Sequence, residues 1–132
     1  MRIYWDSSAL VAALHDEYLR KRLTAGENFT RSHAFGEVFS ALTGGRLGFR
    51  YALHEGADLV ASLAGDLSVT DLQPEEVLSA LRRSEKLGVR GGRVHDYLHA
   101  VAAEKGFADR LWTFNLSDFQ GLTHLIVESP DG

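Results

Sequence analysis

The sequence predicts an α/β fold, a three-layer α/β/α sandwich around a mainly parallel sheet of about five strands. Three observations carry this expectation. Short β-prone runs alternate with stretches whose apolar residues recur at helical spacing. Strands separated by helices pair in parallel through right-handed crossovers. With 132 residues, 45% of them hydrophobic, the chain is long enough and apolar enough for one buried core, so residues 1–132 read as a single domain.

The elements follow in order. Arg2-Ile3-Tyr4-Trp5 is a short strand ending at Asp6, and Ser7 and Ser8 offer N-caps for an apolar helix from Ala9 to Leu14. A second helix, Glu17 to Leu23, stops before Gly26, and Asn28-Phe29-Thr30 is the weakest of the strands. Ser32 can cap a helix from His33 to Thr43, whose Phe35, Val38, Phe39 and Leu42 share a face, and Gly44-Gly45 ends it. Tyr51 to Ala64 is a further helix, and Leu67-Ser68-Val69-Thr70 alternates as a strand does. Pro74 suits a first helical turn, Glu75 and Glu76 sit near that helix's positive end, and Gly88 stops it after Leu87. Gly91-Gly92 precedes a helix from Arg93 to Lys105. Arg110 to Phe114 and His124 to Val127 complete the strands.

Composition narrows the function. No cysteine is present, so thiol nucleophiles, disulfides and thiolate metal sites are excluded. A formal charge of −4 argues against binding nucleic acid by bulk charge, though not against an acidic pocket with local basic residues. No targeting segment and no membrane-spanning apolar run is visible, which makes a cytoplasmic protein without membrane contact the expectation. Dinucleotide binding lacks its glycine fingerprint. A phosphoaspartate phosphatase wants a second Asp where Ser8 stands, and a receiver domain wants a lysine that the last two strands lack.

In a parallel α/β sheet, strand C-termini and the N-termini of the following helices share one edge, where ligands bind. Four acids map there. Asp6 ends the first strand, and Glu37 lies early in the helix after Ser32, at the border of its apolar stripe. Asp96 is in the first turn of the helix after Gly91-Gly92, and Asp118 follows the strand Arg110–Phe114. Each also has a plain structural reading: a cap, a surface glutamate, a helix-dipole complement and a turn residue. Two carboxylates about 5 Å apart repel by about 3 kcal/mol at an effective dielectric near 20, a cost that a divalent cation removes. Oxygen ligands select a hard ion, Mg²⁺ or Mn²⁺, whose retained water can serve in phosphodiester hydrolysis.

Four segments in order carry a resemblance: Tyr4-Trp5-Asp6-Ser7-Ser8-Ala9-Leu10, His33-Ala34-Phe35-Gly36-Glu37-Val38-Phe39, Asp96-Tyr97-Leu98-His99-Ala100 and Thr113-Phe114-Asn115-Leu116-Ser117-Asp118-Phe119. Together, over about Ile3 to Val127, they resemble the PIN-domain ribonucleases and, more narrowly, the VapC-type toxins of toxin–antitoxin pairs. The resemblance implies a PIN-like domain and Mg²⁺- or Mn²⁺-dependent endonucleolytic cleavage of RNA by a metal-activated water. It also implies a homodimer and a cognate antitoxin protein as partners. Asp6, Glu37 and Asp96 would then be the catalytic and metal-site acids, with Asp118 as a fourth, and Ser7 (or Ser8) and Thr113 would orient ligands or a phosphate. Many members carry Asp where this chain has Asn115, which can support a ligand but supplies no charge. The alternative is a degenerate PIN domain that binds RNA or a partner protein without cutting.

Arg90, Arg93, His95 and His99 surround Asp96 in sequence, and Arg90, Arg93 and His99 are expected to contact RNA phosphates if the edge is a nuclease site. Arg46 and Arg50 flank a glycine- and aromatic-rich stretch that reads as a substrate or partner lip, or as a loop with Phe49 packed inward. Trp5 and Trp112 read as core residues.

Overall fold

A computed structural model describes residues 1–131. The elements are β1 (Arg2–Trp5), α1 (Ser7–His15), α2 (Glu17–Thr24), β2 (Glu27–Thr30), α3 (Ser32–Thr43), α4 (Leu53–Gly65), β3 (Ser68–Val69), α5 (Pro74–Leu87), α6 (Arg93–Lys105), β4 (Arg110–Trp112), a 3-10 turn (Leu116–Phe119) and β5 (Ile126–Glu128). The strands form one parallel sheet in the order β3-β2-β1-β4-β5. This is the three-layer α/β fold the sequence predicts.

The short sequence Ile3-Tyr4-Trp5 builds both layers, because side chains alternate across a strand. Ile3 and Trp5 face a core completed by Leu10, Leu19, Leu23, Val38, Leu42 and Leu63 from α1 to α4. Tyr4 faces the other way, with Phe29, Leu111 and the alanines of α6. Gly106 lets α6 approach that layer: a Cβ there would lie 2.3 Å from the Phe29 ring. The order 3-2-1-4-5 reverses direction between β1 and β4, so the topological switch point falls where Asp6 leaves the sheet.

Several ends differ from expectation. α1 is capped by Asp6, whose side chain accepts from Ala9 N, rather than by Ser7 or Ser8. Ser32 does not cap α3; it begins the helix, and its N–H and hydroxyl donate to Asp71 at 2.7 and 2.6 Å. The strand expected through Phe114 ends at Trp112, because Thr113 and Phe114 turn toward the edge to meet other partners. β5 begins at Ile126, leaving His124 exposed. The weakest predicted strand is a full member of the sheet: β2 is fastened by Asn28, whose amide donates to the carbonyls of Arg22, Leu23 and Ala25 at the end of α2. Gly88 closes α5 at φ 67°, a conformation that favours glycine.

Candidate functional site

Asp6 is buried at the switch point and fully engaged. Its Oδ1 accepts from Ala9 N at 2.9 Å and Ser8 Oγ at 2.7 Å, and its Oδ2 accepts from Thr113 Oγ1 at 2.6 Å. Ser8 and Thr113 are themselves held by the chain leaving β4: Phe114 N donates to Ser8 Oγ, and Asn115 N donates to Thr113 Oγ1, both at 2.9 Å. The hydroxyl that orients Asp6 is therefore that of Ser8. Ser7, which the sequence favours, instead lines an adjoining cleft. Burial raises the proton affinity of Asp6, while the three donors oppose that rise.

Glu37 projects from α3 and accepts from His99 Nε2 at 2.6 Å. Burial pushes its pKa up, but the His99 hydrogen bond and charge, with His33 and Arg31 beyond, outweigh burial and hold it below the usual glutamate value. Asp96, in the first turn of α6, goes the other way. Burial and then the charge of Asp118, with smaller contributions from Asp6 and Glu37, push its pKa up to about 6, against the pull of His99. Asp118 is exposed on the 3-10 turn. All four acids thus bear on one edge, where the proton affinities of Asp6 and Asp96 are pushed up and that of Glu37 down, a pattern concentrated at functional sites.

They are not drawn into a closed cage. Among the described residues, no three Asp, Glu or His side chains stand close enough to enclose an ion in this conformation. Like charges hold the carboxylates apart, and Asp6 and Glu37 turn oxygens toward their own hydrogen-bond donors. The donor set is all oxygen and mutually repelling, which matches the chemistry of Mg²⁺ or Mn²⁺. A cleft of about 960 Å³ opens beside Glu37. Ser7, Ser8, Glu37, Arg46, Leu47 and Asn115 are among the residues that line it.

The basic residues are corrected in part. His99 does not face a phosphate: it is 2% exposed, with Nε2 on Glu37 and Nδ1 2.6 Å from Tyr4 Oη. Arg93 donates to the Gln120 carbonyl at 2.5 Å and ties α6 to the loop after the 3-10 turn, while Arg90 is exposed. Sequence reasoning missed Tyr4, Arg31 and the parallel stack of His33 on His95, with ring centroids 5.7 Å apart. Arg31 is buried with no hydrogen-bond partner for Nε, and its charge bears on Glu37, His33 and Asp71. Two signals were present. Tyr4 is a hydroxyl in an apolar strand, and His99 falls one helical turn after Asp96.

No family model and no curated protein matches the sequence. Solved structures do match in shape. A chain of VapBC2 from Rickettsia felis, solved bound to a DNA fragment from their promoter, aligns at TM-score 0.72 and 17% identity over 98% of each chain. VapBC-1 from nontypeable Haemophilus influenzae aligns at 0.66 and 16%, again over 98% of each. PAE2754 from Pyrobaculum aerophilum aligns at 0.67 and 19%, over 96% of this chain and 92% of that one. At these identities it is the architecture that is shared, and the chain has the fold of the VapC-type PIN domain.

Proposed function

We propose that this protein is a Mg²⁺- or Mn²⁺-dependent endoribonuclease, the toxin of a toxin–antitoxin pair, which hydrolyses RNA phosphodiester bonds. The observation that carries the reading is the set of four acids at the switch point, with the Asp96 pKa lifted to about 6 by burial and by Asp118, Asp6 and Glu37. Asp6, Glu37, Asp96 and Asp118 would hold the cation. When bound, a divalent ion lowers the pKa of water and offsets charge on the phosphoryl group. Ser8 and Thr113 fix the Asp6 carboxylate, Glu37 stays ionised against His99, and Asn115 lines the cleft. In this reading Arg46, which lines the cleft, and the exposed Arg90 would meet RNA phosphates. The VapBC neighbours support a cognate antitoxin as partner, and a cationic side chain from it would complement the acidic edge. A homodimer and a cytoplasmic setting belong to the same reading. No described helix is long and apolar enough to cross a membrane.

The test is cleavage of RNA oligonucleotides by purified protein with Mg²⁺ or Mn²⁺, with EDTA, and with Asp6→Asn and Asp96→Asn. Metal-dependent cleavage lost in both variants, with unchanged circular dichroism, is the expected result. Cleavage retained by the double variant would end the nuclease reading. One observation favours a second reading, binding without cutting: the acids stand apart and Asn115 replaces a charge. RNA retention with no cleavage and no bound ion at millimolar Mn²⁺ would select it.

A further inference from the structure

Glu37 has two carboxylate oxygens, and the fold has already claimed one. Its Oε1 lies 2.6 Å from His99 Nε2. The other ring nitrogen of His99 lies 2.6 Å from the hydroxyl of Tyr4, on the central strand. Both residues are inside the protein, with Tyr4 0% and His99 2% exposed. The Tyr4 ring is fixed edge-on against Phe29 and His99, with centroids 5.3 and 5.7 Å away. This is a single chain of hydrogen bonds, Tyr4–His99–Glu37, running from the middle of the sheet to an acid of the site.

For the neutral His99 ring, the chain determines which nitrogen holds the proton. Burial raises the proton affinity of the Tyr4 phenol, so it keeps its hydrogen. His99 Nδ1 lies within reach to accept that hydrogen. With Nδ1 accepting, the imidazole proton is on Nε2, where it donates to Glu37. The reverse tautomer would set a bare nitrogen against a carboxylate oxygen at 2.6 Å, two acceptors with no hydrogen between them. His99 also lies one turn after Asp96 on α6, whereas Glu37 comes from α3. The same bond therefore fastens the acid of one helix to the helix that carries another.

We propose that Tyr4 and His99 are a positioning pair: they pin Glu37 through Oε1, leave Oε2 as its single oxygen for the divalent cation, and set Glu37 relative to Asp96. This rests on the metal-dependent reading above. Residues that orient a ligand in this way typically contribute about 10–100-fold in metal affinity.

The test uses full-length protein and Mn²⁺ alone, with free Mn²⁺ followed by electron paramagnetic resonance. His99→Leu is expected to weaken Mn²⁺ binding by about 10–100-fold, and Tyr4→Phe by about tenfold or less. His99→Gln keeps an N–H toward Glu37 and should restore most of the affinity. In parallel, ¹⁵N-histidine spectra of the metal-free protein should show His99 protonated at Nε2, with that preference lost in Tyr4→Phe. Folded His99→Leu that binds Mn²⁺ as tightly as the native protein overturns the proposal, as does a spectrum with the proton on Nδ1. Should His99→Leu not fold, Tyr4→Phe, which removes one oxygen atom, carries the affinity test. Native protein that takes up no Mn²⁺ defeats the nuclease reading instead, and the spectra then decide the Tyr4–His99 pair on their own.

Discussion

Replacing Asp96 with asparagine keeps the shape of the side chain and removes its charge from the most repulsive point of the site. The direction follows from linkage. The folded state raises the Asp96 pKa from 3.8 to about 6, through burial first and Asp118 second. The folded protein thus binds more protons than the unfolded chain between those pH values, and native stability falls as pH rises through that window. Taken at face value, the displacement corresponds to about 3 kcal/mol. Asp96 is only half-buried, so solvent screening reduces this to about 1–2 kcal/mol. The N-terminal field of α6 favours the native charge by about 0.3–1 kcal/mol. The net expectation for Asp96→Asn in EDTA at pH 7.5 is a gain of about 1 kcal/mol, or a Tm higher by about 3–4 °C. At pH 4 the native carboxyl is protonated in the fold and the gain should vanish. Thermal melts followed by circular dichroism at the two pH values measure both. Saturating Mn²⁺ should reverse the order, because the native protein gains binding energy that the variant lacks. A variant that melts well below the native protein at pH 7.5 in EDTA, or a gain undiminished at pH 4, would refute the electrostatic account of the site.

Three other substitutions test the scaffold around the acids. Thr113→Val removes the donor to Asp6 Oδ2 and the acceptor for Asn115 N, so it should cost about 2 kcal/mol in urea unfolding. The same variant should weaken Mn²⁺ binding by about tenfold; unchanged affinity would remove Thr113 from the site. Gly106→Ala places a methyl 2.3 Å from the fully buried Phe29 ring, and the urea midpoint should fall by an amount equivalent to about 2–3 kcal/mol. A neutral result would mean that α6 can move off the sheet. Asn28→Ala strips the carbonyls of Arg22 and Leu23 in α2, and of Ala25 just after it, of their donor and leaves the buried Trp5 indole N–H without its acceptor, with an expected loss of about 3 kcal/mol. Tryptophan fluorescence during denaturation reads that loss, and an unshifted midpoint would contradict the role given to Asn28.

Much of this molecule is written locally in its sequence. Alternating runs such as Ile3-Tyr4-Trp5, helical spacing such as Val38 and Leu42, and glycines such as Gly88 place strands, helices and stops, because each depends only on neighbours a few residues away. Parallel α/β order then forces Asp6, Glu37 and Asp96 toward one edge before any coordinate is known. Pairings between distant residues were not legible. Ser8 rather than Ser7 reaches Asp6 because Asp6 caps α1 and the chain leaving β4 binds the Ser8 hydroxyl. His99 turns inward to Tyr4 and Glu37, 95 and 62 residues away, where the sequence had set it facing a phosphate. Arg31 is buried beside the site although nothing near it in the chain requires that. Periodicity reports which face of an element is apolar. It does not report which polar group waits on the facing element, because that depends on how helices from opposite layers meet across the sheet, and only tertiary packing decides it.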